Sequence, residues 1–127
     1  MKRFMIACLF ISPSVFAQQL PIAGCALGDF VVATGGVATI KTQGRSYVPR
    51  CLKIKAGTQV VIEASTHHSL QGILNSVGPV NPIYDDLGAA VTNIKIQPQE
   101  AGVFGFYCVS HSDDQGSGMV GAILVEP

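Results

Sequence analysis

The sequence is short of charge, and the charge it has is balanced. Only 13% of its residues are Asp, Glu, Lys or Arg, eight acidic against eight basic, and no run of one sign occurs. That excludes the electrostatic footprint with which a protein holds nucleic acid or an anionic membrane surface. No apolar run approaches the ~20 residues needed to cross a bilayer, so no membrane span is expected. Helical periodicity, internal repeats, low-complexity tracts and linkers are missing as well. With 127 residues, 48% of them hydrophobic, the chain has material for one core and not for two.

The first residues, MKRFMIACLFISPSVFAQQ, carry Lys2 and Arg3, an apolar stretch from Phe4 to Ile11, and Val15, Phe16 and Ala17 after Pro13. This is the layout of a secretory signal, and cleavage is expected after Ala17. Residues 18–127 would then be one exported domain, periplasmic or secreted. The alternative is a lipoprotein anchored at Cys25 of Ile22-Ala23-Gly24-Cys25, although Gln18 and Gln19 interrupt the apolar run ahead of it. Removal of the signal takes Cys8 and leaves Cys25, Cys51 and Cys108. Three thiols cannot all pair within one chain, so an oxidising compartment leaves one for other chemistry or as a small buried hydrophobe.

What is present is a succession of short strand-like segments punctuated by glycine and proline. Candidate strands run from Phe30 to Thr34, Val37 to Thr42, Cys51 to Ala56, Thr58 to Ala64, Ala90 to Gln97, Gly102 to Cys108 and Met119 to Val125. Leu52 and Ile54 alternate with Lys53 and Lys55, and Ile94 and Ile96 with Asn93, Lys95 and Gln97, as on half-buried strands. An all-β, two-sheet sandwich of about seven to eight strands is predicted. The stretch from Gln71 to Ala89 reads as a long loop in which Asp85 and Asp86 are solvated.

The informative segment is GVFGFYCVSHSDDQGSGMVGAILV. By strand parity Cys108 shares a face with Phe104 and Phe106, so its sulfur is predicted to point inward. Met119 shares parity with Ile123 and Val125 and is the one methionine left after the signal. The only other histidines besides His111 are His67 and His68, just after the strand TQVVIEA. A thiolate, two imidazoles and a weak thioether suit a trigonal copper site with a long axial ligand. Zinc would want a fourth strong donor, for which Asp113 or Asp114 is a candidate.

Together these residues resemble the cupredoxins, the small blue-copper proteins of the plastocyanin, pseudoazurin and azurin kind. The resemblance covers Tyr47 to the C-terminus, through YVPRCLKIKAGTQVVIEAS, HSL at His68 to Leu70, and FYCVSH followed by GMVGAILV. It implies a Greek-key β-sandwich holding one copper, with His68, Cys108, His111 and Met119 as ligands. His68 is preferred to His67 because Ser69 and Leu70, a small polar and an apolar residue, follow it as they follow the family's ligand. Two departures stand out. Seven residues, SDDQGSG, separate His111 from Met119 where plastocyanins have four, and Ser69 stands where the family often has an asparagine that ties the ligand loops together. Cys51 shares parity with Lys53 and Lys55, away from the core, so its expected disulfide partner is Cys25 on the N-terminal arm, which the bond would pin to the sheet edge. Otherwise Cys25 carries lipid and Cys51 is unpaired.

The resemblance implies a one-electron carrier, a monomer that meets a redox partner protein. A copper tolerance, storage or delivery protein, working with a copper-handling partner outside the cytoplasm, is the competing reading, and a metal-free structural sandwich is a third. An enzyme is not expected: after His68 and His111 only His67 remains for a second metal, and a hydrolytic cysteine would need an exposed, activated sulfur.

Overall fold

The computed structural model describes residues 20–75, 78–83, 88–112 and 117–127. The expected signal (1–17), Asp85, Asp86, Asp113 and Asp114 lie outside the described residues.

Among the described residues nine strands form two sheets. In chain order they are β1 (Val31–Val32), β2 (Val37–Gln43), β3 (Ser46–Val48), β4 (Cys51–Lys55), β5 (Gln59–Ile62), β6 (Leu70–Gly72), β7 (Ile94–Ile96), β8 (Gly102–Ser112) and β9 (Gly118–Glu126). One sheet has the order β1-β4-β9-β8-β6 and the other β3-β2-β5-β7. Both are mixed. β4 runs parallel to β1 and β9, and β2 parallel to β5, while the remaining neighbours are antiparallel.

Alternation creates the core between the sheets. Ala38 and Ile40 of β2, Val60 and Ile62 of β5, and Ile94 and Ile96 of β7 face Leu52 and Ile54 of β4, Phe104 and Phe106 of β8, and Ile123 and Val125 of β9. A fully buried side chain of this size contributes roughly 1.5–3 kcal/mol, so this interior dominates the fold. Gly121 is required where it stands, because a Cβ there would come 2.4 Å from Cζ of Phe106 and 2.7 Å from the Arg50 carbonyl oxygen.

From Gly102 to Cys108 and from Met119 to Val125, β8 and β9 are largely buried on both faces. Their outward residues Val103, Val120, Ala122 and Leu124 form a second cluster with Cys51 under Ala23 and Cys25, with Leu20, Ile22 and Phe30 packed against it. This is why the two strands read as nearly continuous apolar runs. Cys25 and Cys51 are disulfide-bonded, with Cα atoms 5.8 Å apart. The sequence-based expectation put the arm at the sheet edge. In the structure only β1 lies at the edge, beside β4, and the residues before it cover the outer face. An outer face rich in Val, Ala and Leu has to be covered, and the arm is the segment that does so.

The strand limits differ from expectation in several places: the segments expected from Phe30 to Thr34 and from Ala90 to Gln97 shorten to β1 and β7. β3 and β6 are additional three-residue strands, and β8 runs on past Cys108 to Ser112. β6 occupies the start of the stretch assigned to a loop, and buried Asn81 holds the following segment: its Nδ2 donates to the carbonyls of Ile73 (2.9 Å) and Gly105 (2.7 Å), and its Oδ1 accepts from the Ile83 N–H (3.0 Å). Among the described residues no helix is long and apolar enough to cross a membrane.

Candidate metal centre

Cys108 sits on β8 opposite Leu70 of β6, and the last regular pair between β8 and β9 before a shift of register is Tyr107↔Val120. Its side chain joins the inward row of Phe104 and Phe106, is 0% exposed, and remains a free thiol. The register shift between Tyr107 and Ser112 turns the end of β8 so that His111 also reaches the sulfur. Its Nδ1 lies 3.5 Å from Cys108 Sγ.

His68 comes from the connection between β5 and β6. The main chain there is folded tightly: Ser65 and His68 exchange N–H to C=O bonds of 3.1 Å, and the His68 N–H also reaches the Ser65 hydroxyl (3.2 Å). This sets His68 Nδ1 3.7 Å from Cys108 Sγ. The two imidazole centroids are 5.0 Å apart with the rings tilted by 46°. One potential ligand atom from each of His68, Cys108 and His111 thus falls within 4.8 Å of the others. His67, the neighbouring histidine, is exposed.

Met119 is the second residue of β9, after Gly118, is 2% exposed, and shares the interior cluster with Cys108. The long spacing between His111 and Met119 is closed by strand pairing, for Ser112 lies opposite Gly118. Gly118 has φ of +88°, and a Cβ on it would lie 2.4 Å from the His111 carbonyl oxygen. Only glycine fits so close an approach in that backbone region.

The two ligand-bearing segments are tied by main chain. The Val109 N–H donates to the Ser69 carbonyl (2.8 Å), so the link expected from a side chain at position 69 is made by the backbone instead. The Ser112 hydroxyl donates to the Cys108 carbonyl and braces the turn between them. Sequence reasoning missed this brace, since a lone serine after a histidine carries no signal.

The pKa of His111 is lowered, first by desolvation and then by the positive charges of Arg45, His68 and His67. A neutral imidazole offers a lone pair to a metal. One buried sulfur, two imidazoles and a thioether in the same buried cluster fit copper by donor type. Among the described residues the group contains no carboxylate; Asp113 and Asp114, on which a zinc site would draw, lie outside them.

No family model matches the sequence. The chain is 29% identical over 131 residues to a plastocyanin from Prochlorothrix hollandica, covering 88% of this chain and 90% of that one. The fold is similar to that of the oxidised plastocyanin from Dryopteris crassirhizoma, with a TM-score of 0.54 at 17% identity, covering 70% of this chain and all (100%) of the other. It is also similar to part of a Cu-containing nitrite reductase from Thermus scotoductus SA-01, with a TM-score of 0.52 at 18% identity, over 79% of this chain but only 28% of that longer one. In fold, and in sequence similarity to a plastocyanin along most of both chains, the protein is cupredoxin-like.

Proposed function

We propose that the protein is an exported copper protein that carries single electrons, in which Cys108, His68 and His111 would hold one copper with Met119 as a weaker donor. The observation that carries this reading is the convergence of the buried Cys108 sulfur with two imidazole Nδ1 atoms at 3.5 and 3.7 Å. When bound, copper supplies a one-electron couple. The chain's own residues supply a framework that holds the ligands in place: Cys108 is fixed by pairing with Leu70 of β6 directly after the last regular pair with β9, and His68 by its folded loop and the bond from Val109 to Ser69. Ligands that move little between oxidation states are what rapid electron exchange requires.

Val109, 46% exposed between the two β8 ligand positions, gives a redox partner an apolar contact beside His111. Export is supported by the basic and apolar start of the chain and by the Cys25–Cys51 disulfide, which belongs to an oxidising compartment.

The test is to add Cu(II) to the purified mature protein. One equivalent should produce an intense visible band, and the loaded protein should cycle reversibly at an electrode. Absence of the band would overturn the copper assignment. Irreversible voltammetry, with prompt release of Cu(I) to a chelator of modest strength, would replace electron transfer by copper delivery or tolerance.

A further inference from the structure

Tyr47 is a polar residue where the fold asks only for an apolar one. It is the middle residue of β3, with exposed Ser46 and Val48 on either side, and it alone turns inward, to 2% exposure. Its ring meets Phe106 edge-on, with centroids 4.8 Å apart and planes at 76°. Phe106 immediately precedes Cys108 on the inward row of β8, and Tyr47, Phe106, Cys108 and Met119 belong to one buried cluster.

The ring explains the packing, but the hydroxyl does not. Among the described residues its oxygen is fully buried with no hydrogen-bond partner. Burying a hydroxyl unpaired is a net cost, and phenylalanine would fill the same space without it. Burial, and secondarily negative charge on Cys108, raises the pKa of Tyr47, so the phenol keeps its proton. It is a neutral dipole in a poorly screened interior, with no competing acceptor to fix its direction.

We propose that Tyr47 is a positioning residue of the candidate copper centre, whose buried O–H dipole turns toward the Cys108 sulfur and favours negative charge there. This rests on the copper reading above. Holding electron density on the sulfur makes the oxidised centre less favourable, so the hydroxyl raises the reduction potential. It also lowers the energy of the sulfur lone pairs, which moves the thiolate band to shorter wavelength.

The experiment compares copper-loaded wild type with Tyr47→Phe by voltammetry, visible absorption and thermal melting. The variant should bind one copper, melt no lower than wild type, and absorb at longer wavelength. At a fixed poise its Cu(II)/Cu(I) ratio should rise at least threefold, which is about 28 mV for a one-electron couple. A potential and a band identical to those of the wild type would overturn the proposal, whatever the melting temperature does. A wild-type protein without any visible band would refute the copper reading itself, and the Tyr47 role with it.

Discussion

On the inner face of the five-stranded sheet Cys108 is buried as a free thiol beside Phe104 and Phe106. On the outer face Cys51 is buried in a bond to Cys25 beneath Ala23. The two environments are similarly apolar and similarly closed to solvent, so burial alone does not decide what each sulfur does. Company decides it. The inner sulfur has two imidazoles at 3.5 and 3.7 Å, whereas the outer one meets a second cysteine delivered by the N-terminal arm. Because side chains alternate along a strand, a displacement of one residue would exchange the faces. The sheet thereby separates the candidate metal thiol from a structural disulfide that would otherwise compete for it.

The sharpest way to break this contrast is Cys108→Ser. It removes the thiolate from the inner face, and the visible band should vanish completely while the Cys25–Cys51 bond and the β fold persist. Absorption and circular dichroism spectra of copper-treated protein check this. Survival of the band would assign it to another sulfur.

Replacing Cys25 and Cys51 together by alanine is the converse. The copper band should be kept, while stability falls by roughly 3–4 kcal/mol on a chain-entropy estimate for a separation of 26 residues. Denaturant unfolding measures the loss. A lost band here would mean that the arm shapes the metal site through the sheet.

Gly118→Ala tests how finely the inner site depends on backbone. With φ of +88° and the His111 carbonyl oxygen 2.4 Å from the added Cβ, the strand end has to shift. A stability cost of about 1–3 kcal/mol is expected, together with weaker copper binding as His111 is displaced. Unfolding and copper titration read the two effects.

The smallest effect belongs to Met119→Leu. The two side chains are close in volume, so stability should change by less than about 1.5 kcal/mol. Copper should stay bound and the potential should rise, because losing a weak donor disfavours Cu(II). An unaltered potential would place Met119 off the metal, leaving it as packing.

Strand parity made much of this legible in the sequence. The inward direction of Cys108 and the outward direction of Cys51 follow from a period of two over segments that alternate or are bounded by turns. β3 and β6 were not legible, because three residues are too few for a pattern. Pairing makes them strands: β3 closes a two-residue hairpin with β2 at Gln43↔Ser46, and β6 is fixed by Leu70↔Cys108. The extension of β8 through Val109 to Ser112 was hidden because its residues are half or fully exposed and the register shift erases alternation. The outer cluster was hidden for another reason. Val103, Val120 and Leu124 announce a second buried face, but nothing local says that a segment some 80 to 100 residues earlier covers it. Tyr47 gave no signal either, since its ring suits a core and only the surroundings show its hydroxyl to be unpartnered.

The pairing of Ser112 with Gly118 acts as a clamp at the neck of the segment that joins the two ligand-bearing strands. His111 and Met119 lie on the protein side of that neck, each adjacent to one of the paired residues. The distance between His111 and Met119 is therefore set by the paired strand ends and not by the number of residues between them.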